Sequence, residues 1–578
     1  MARTVSIGNQ DFESLRLKNS FYVDKTGFIR EWWESEDVVT LITRPRRFGK
    51  TLTLNMLEKF FSVEYVGRAD LFDGLAIWKE EKYRSLQGTY PVLMVSFADV
   101  KENTFAQTRK AMCRILRFLY DKFSFLLEGD LLSESEKKDF RKISAEMEDN
   151  EASFSLKMLS LYLSRHYGKK VIILLDEYDT PMQEAYLNGY WEEMVAFTRN
   201  FFNATFKTNP YLERAVLTGI TRISRESMFS DLNNLEVVSI TSGKYVNSFG
   251  FTEEEVFTAL GEFDLSDRKD EVKSWYDGFV FGSHAEIYNP WSIINYLDKR
   301  CVGLYWVNTS SNSLAGKLVR EGSPELKMNM ERLLQGKSFV VRLEEQIVFS
   351  DLDQGDEAVW SLLLASGYLK AVHHAFNADL GKAEYELQLT NREVRAMFEG
   401  IIEGWFGRCR GVSNAFLKAL LSDDLKGMNA YMNKVALQTF SYFDTAANPS
   451  EPERFYHGFV LGMMVELADR YVLTSNRESG FGRYDVMLEP RQDTGVADAL
   501  ELDAVIIEFK VQDMEEEEKL SDTVEAALQQ IDKKKYDTAL VAKGIPKNRI
   551  RKYGFAFCGK KVLIGRAGDE RRRSLQGG

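Results

Sequence analysis

The chain is 578 residues long, 44% hydrophobic and 13% aromatic, with only ten prolines; it is too long for one hydrophobic core and too apolar for disorder, so about three or four compact units are expected. Four cysteines without a CxxC pair and five histidines argue against a disulfide framework or a zinc site and fit a reducing compartment. The formal charge of −12 does not advertise nucleic-acid binding, yet fourteen Lys and Arg stand against four Asp and Glu between Ile531 and Arg573, a local balance of +10.

The opening MARTVSIGNQDFESLR has no apolar signal core, and no run of about eighteen apolar residues follows, so a soluble, cytoplasmic protein without a membrane span is expected. After SFYVDKTGFIREWW comes a β-rich run, DVVTLITR, then the turn RPRRFGKT at 44–51, then an apolar-periodic helix, TLTLNMLEKFFS. Strand, loop and helix in this order form the context of a phosphate-binding loop. PVLMVSFA at 91–98 reads as a second buried strand, followed by helical stretches over roughly 104–128 and 134–166. KVIILLDEYD is continuously apolar before its acids, as expected of a parallel strand covered on both faces. RAVLTGITRI at 214–223 completes a parallel α/β pattern. From 251 to 410 short helices and aromatic turns suggest a helical or winged-helix-like connector, and 411–578 reads as a helical lead-in and a second α/β unit.

A phosphate loop works because successive N–H groups and a helix N-terminus point at the phosphates, a lysine adds charge and a hydroxyl holds magnesium. Gly49, Lys50 and Thr51 supply the second half of such a loop. Arg44 and Pro45 restrict the backbone where a first glycine would leave it free. Asp176, ending its apolar run, is placed to hold magnesium through water, and Glu177 to polarise an attacking water. The alternative is a strand that ends in two solvated acids.

The motifs YVDKT at 22–26, RPRRFGKT at 44–51, LLDEYDTP at 174–181 and TGITRISRESMFSDLNN at 218–234, with WYDGF, YNPWS, YWVNTS and FYHGFVLG beyond, resemble the AAA-ATPase-like proteins that carry a PD-(D/E)XK nuclease-type domain at the C-terminus. In that family the loop looks like RPRRFGK followed by Ser or Thr. The resemblance implies a prokaryotic protein that binds ATP through Arg44, Pro45, Arg46, Arg47, Phe48, Gly49, Lys50, Thr51 and Asp176. It also implies Mg²⁺ on Thr51 and Asp176, catalysis by Glu177, and a sensor role for Thr218 or Thr221. Arg222 or Arg225 would reach the γ-phosphate in cis or across a homo-oligomer contact; surface salt bridging is the alternative for both.

In GFGRYDVMLEP at 480–490 and ALELDAVIIEFKV at 499–511, strand alternation puts Glu508 and Lys510 on one face and Phe509 on the other. A hairpin would bring Asp485 beside Glu508. Two carboxylates can then hold Mg²⁺ or Mn²⁺, and Lys510 can orient or deprotonate water for attack on a phosphodiester. The family's helix glutamine would be Gln529 or Gln530, with Tyr536 a weaker candidate, and Glu453 would add a metal carboxylate. The expected partner is nucleic acid, DNA foremost, with the +10 segment lying where its backbone would run; a solvated charged face is the alternative. The competing function is a nucleotide-dependent switch or interaction protein whose nuclease fold cuts nothing.

Overall fold

The computed structural model describes residues 3–221, 232–309, 312–343, 352, 355–377, 382–406, 410–439, 464, 467, 470–479, 482–491, 502–512, 517–558 and 561–567. The chain divides into two compact units, Met1–Met397 and Phe398–Gly578, where the sequence reading has three segments.

The first unit is built on five parallel strands, β1 (Val39–Thr43), β2 (Val92–Ser96), β3 (Val171–Asp176), β4 (Leu212–Gly219) and β5 (Leu235–Val238), in the order β2-β3-β4-β1-β5. Every residue of β1 and β3 is buried, which accounts for their unbroken apolar sequence. The order places β4 between the strand that feeds the phosphate loop and the strand that ends in Asp176, so Thr218 lies between the two halves of the site. The helical stretch expected at 134–166 is two helices. Glu134–Lys142 opens on a capping box between Ser133 and Glu136, and Asp149–Tyr167 stops at Gly168 in a left-handed conformation.

The same unit continues through β6 (Phe251–Thr252), β7 (Asp277–Phe281) and β8 (His284–Tyr288), an antiparallel sheet in the order β6-β8-β7. Helices Ser313–Glu321, Pro324–Leu334 and Asp356–Ala365 then accompany a sheet of β9 (Phe339–Leu343), β10 (Leu369–Asn377) and β11 (Lys382–Leu389). Where short helices and aromatic turns are expected, the segment holds short helices and two antiparallel three-stranded sheets, and it packs onto the phosphate loop within the first unit. Phe48 sits between Phe279 and Phe281, with ring centroids at 4.8 and 5.3 Å.

The second unit holds β12 (Tyr471–Ser479), β13 (Gly482–Pro490), β14 (Ala504–Val511), β15 (Ile550–Cys558) and β16 (Lys561–Arg566), paired in sequence order. All pairs are antiparallel except β14 with β15, whose crossover carries the helix Leu520–Lys534. One face of the sheet, with Phe509, Phe555 and Phe557, packs on Phe416 and Tyr431; the other, with Met487 and Ile506, packs on Ile531, Tyr536 and Leu540. Gly554 lets the crossover helix come close, since a Cβ there would meet the carbonyl oxygen of Val524 at 2.8 Å. Among the described residues, no helix is long and apolar enough to cross a membrane.

Candidate active sites

Gly49 takes φ 83° and starts the helix Lys50–Phe61, a left-handed position that glycine adopts without strain. Among the described residues, the main-chain N–H groups from Arg46 to Thr51 carry no hydrogen bond, so they are available to an anion. Lys50 is 5% exposed, and its Nζ donates to the carbonyl oxygens of Arg44 and Pro45, both at 2.9 Å. Burial pulls its pKa down, against the opposing charges of Glu177, Asp176 and Asp179.

Asp176 is reached from two elements, by Thr51 Oγ1 at 2.7 Å and by Thr218 Oγ1 at 2.5 Å. Burial pushes its carboxyl up, while these two hydroxyls partly restore the charged form. Lys50 and Asp176 thus sit as buried charges whose hydrogen-bond partners are neutral. A phosphate on the free N–H groups and a hard cation between Thr51 and Asp176 would relieve both, so the donor set fits a magnesium nucleotide. Glu177 has φ 50°, and its carboxylate accepts from Thr180 Oγ1 at 3.0 Å.

Thr218 and Thr221 have different partners. Thr221 donates through N and Oγ1 to Asp179 Oδ2 at 2.9 and 2.8 Å, and Ile220 N donates to the same oxygen at 2.9 Å. Asp179 is the residue that the sequence reading missed. It is the last acid of DEYD, buried, with its carboxyl pushed up by that burial, and it ties the end of β4 to the turn after β3. Its only sequence signal is a third carboxylate where strand-end solvation needs none. Arg222 and Arg225 lie outside the described residues.

Arg44, expected at the nucleotide, has its side chain engaged within the protein. Its N–H donates to Gly219 O at 3.2 Å. Its fully buried guanidinium donates to the carbonyls of Ser239 at 2.6 Å, Thr43 at 3.0 Å, Val238 at 3.3 Å and Lys244 at 3.4 Å, with the ring of Phe281 centred 4.6 Å away. Burial lowers its pKa to about 9, so the group stays charged at neutral pH and ties β1 to the chain after β5. The side chain of Pro45 is likewise engaged: a Cβ at Gly367 would meet its Cγ at 2.6 Å. Phe48 anchors the loop in the connector, and the exposed Arg46 and Arg47 remain on the surface of the loop.

In the second unit, Val486 pairs with Ile507, and one step beyond them Asp485 comes level with Glu508. Asp485 Oδ2 accepts from Phe509 N at 2.7 Å. Burial pushes its pKa up to about 6, opposed by the Phe509 N–H and by the charge of Lys510. Glu508 is 3% exposed, and Gln530 Nε2 donates to its Oε1. The same Nε2 lies 3.2 Å from the hydroxyl of the buried Tyr536. Of the two glutamines, Gln530 is the one bonded to Glu508, whereas Gln529 is exposed and bonded to Glu525 at 3.3 Å. Two carboxylates are hard oxygen donors that suit Mg²⁺ with retained waters, and the amide nitrogen of Gln530 holds one of them. No cluster of three or more His, Cys, Asp or Glu able to hold a metal occurs among the described residues, and Glu453, the expected third carboxylate, lies outside them.

The +10 segment is partly neutralised. Lys543 pairs with Glu489 at 2.6 Å, Arg549 and Arg551 with Asp503 at 3.1 and 2.6 Å, and Lys552 with Asp532 and Asp537 at 2.8 and 3.1 Å. Lys533 and Lys534, exposed at the end of the helix that carries Gln530, show no ion pair among the described residues.

Residues 6–229 match the model of the family described as Predicted AAA-ATPase, AAA-ATPase-like, and residues 451–567 match the PD-(D/E)XK nuclease superfamily. A relative described as an uncharacterized protein in the vnfD 5′ region of Azotobacter chroococcum mcd 1 is 28% identical over 404 residues, covering 68% of this chain and 69% of its own.

Proposed function

We propose that this chain, which joins an AAA-ATPase-like domain to a PD-(D/E)XK nuclease superfamily domain, is an ATP-binding and ATP-hydrolysing protein whose nucleotide state controls a metal-dependent nuclease acting on nucleic acid, DNA foremost. The observation that carries the reading is the pair of carboxylates, half-buried Asp485 and buried Glu508, brought level across β13 and β14 with Gln530 on one of them.

In the first unit, Lys50 would leave the carbonyls of Arg44 and Pro45 for a phosphate, while the N–H groups of Arg46 to Thr51 take its remaining oxygens. Glu177 orients the attacking water, and Thr218 keeps Asp176 turned toward Thr51. In the second unit, Asp485 and Glu508 bind Mg²⁺ or Mn²⁺, Gln530 fixes the rotamer of Glu508, and Lys510 orients water toward the phosphodiester. A bound Mg²⁺ supplies charge for the phosphate oxygens and acidifies its water. The exposed Lys533 and Lys534 are placed to meet the backbone of the nucleic acid.

The test is incubation of the purified chain with linear, circular and single-stranded DNA and with RNA, with and without Mg²⁺ and ATP, beside Lys510→Ala. Metal-dependent cleavage that Lys510→Ala abolishes supports the nuclease; equal cleavage by the variant removes that assignment. ATP hydrolysis with no cleavage in any mixture favours the second reading, a nucleotide-dependent switch with a non-cleaving fold.

A further inference from the structure

Arg47 is the strained point of the phosphate loop. It takes φ 64°, a left-handed conformation uncommon for a residue with a side chain, and such a conformation persists only where its surroundings over-determine it. The surroundings here come from the connector. The carbonyl oxygen of Arg46 accepts from Asn289 Nδ2 at 3.2 Å and from Trp306 Nε1 at 3.0 Å. The guanidinium of Arg47 lies over the ring of Trp291 at 4.8 Å.

Peptide planarity gives these two bonds a consequence for an anion. The carbonyl of Arg46 and the N–H of Arg47 belong to one rigid plane and point in opposite directions. Gripping the carbonyl from the connector therefore turns the N–H of Arg47 away from the connector, and among the described residues that N–H carries no hydrogen bond. A run of free N–H groups around a left-handed residue is an anion-binding concavity.

Both donors are themselves held. Asn289 Oδ1 caps the helix Pro290–Lys299 through Trp291 N at 2.9 Å, which leaves Nδ2 for Arg46. The buried carboxylate of Glu393 accepts from the main-chain N–H groups of Trp306 at 2.6 Å and Val307 at 3.3 Å, and from Ser292 Oγ at 2.8 Å. Glu393 so fastens the segment bearing Trp306 to the helix that follows Asn289. It stands in the first turn of the helix Arg392–Phe406.

We propose that Trp306 and Asn289 are positioning residues of the nucleotide site, aiming the Arg47 N–H at a phosphate by gripping the Arg46 carbonyl, with Glu393 holding Trp306 in place. The connector is thereby a working part of the phosphate loop. The inference rests on the nucleotide-binding reading above.

The test is titration of the full chain with a fluorescent ATP analogue in Mg²⁺, with melting temperature measured in parallel. The Trp306→Phe/Asn289→Ser double variant keeps an aromatic ring and a neutral helix-capping oxygen and deletes the two donors to the Arg46 carbonyl. Its dissociation constant is expected to rise about tenfold, the loss of one charge-assisted bond's worth of alignment. Glu393→Ala should weaken binding similarly and Glu393→Gln should restore it, since the amide oxygen still accepts from Trp306 N. Tyr276→Phe removes two bonds to Gly303 in the same region without touching Arg46; it should lower the melting temperature and leave affinity unchanged. Wild-type binding with an unchanged constant in a folded double variant overturns the proposal, as does a loss of affinity in Tyr276→Phe as large as that in the double variant. Failure of the wild type to bind overturns the nucleotide reading and this inference with it.

Discussion

Replacing Arg44 with glycine would give the loop the residue that a glycine-rich phosphate loop has at this position, and the expected result is a loss. The two shorter guanidinium bonds, to Ser239 O at 2.6 Å and Thr43 O at 3.0 Å, are charge-assisted and worth roughly 1.5–3 kcal/mol each. Deleting the side chain also removes the cost of burying its charge and leaves a cavity against Phe281, so a net destabilisation of about 2–4 kcal/mol is expected. A unit of 397 residues unfolds with roughly 0.8 kcal/mol/K of entropy, so its melting temperature should fall by roughly 2–5 °C. Calorimetry of the full chain reads the shift, and titration with a fluorescent ATP analogue reads the site. A melting temperature unchanged or raised, or ATP bound more tightly than by the wild type, would refute the assignment of Arg44 as a buried tie.

Asp179→Ala removes the one oxygen that accepts from Ile220 N, Thr221 N and Thr221 Oγ1; it should slow ATP hydrolysis at least tenfold with affinity changed less than about threefold, read from steady-state hydrolysis and binding. Gln530→Ala should lower the cleavage rate by about ten- to a hundredfold by freeing the rotamer of Glu508, as the loss of a supporting contact to a metal ligand does, while Gln529→Ala should match the wild type in the same assay. Gly554→Val should destabilise the second unit by about 2–4 kcal/mol, read as a lower denaturant midpoint, because its new side chain meets the carbonyl of Val524.

The parts of the fold that follow local periodicity were legible in the sequence. The buried strands β1 and β3 read as apolar runs, and the period-two pattern separated Glu508 and Lys510 from Phe509. The Gly49–Thr51 turn and Asp176 were found because their residue types sit at the ends of such strands. What was not legible depends on distant partners. Arg44 is explained by carbonyls about 195–200 residues further on, and Asp179 by the end of β4. Gln529 and Gln530 differ by one step of helix phase, about 100°, which a sequence without its packing face leaves open. The net positive charge after Ile531 could be counted, but its neutralisation by Glu489 and Asp503 could not, because those acids lie on or beside other strands. The connector read as a separate piece because nothing in its sequence announces that Phe279, Phe281, Asn289 and Trp306 close around the phosphate loop.

The most direct measurement of the central claim is the initial rate of DNA cleavage in Mg²⁺ as ATP is titrated, with wild type beside Lys50→Ala and Lys510→Ala. The account predicts that ATP changes the wild-type rate at least tenfold, half-maximally at the dissociation constant for ATP. It also predicts that Lys50→Ala no longer responds and that Lys510→Ala binds ATP without cutting. A wild-type cleavage rate that stays constant across the titration, with ATP shown to be bound, would contradict nucleotide control.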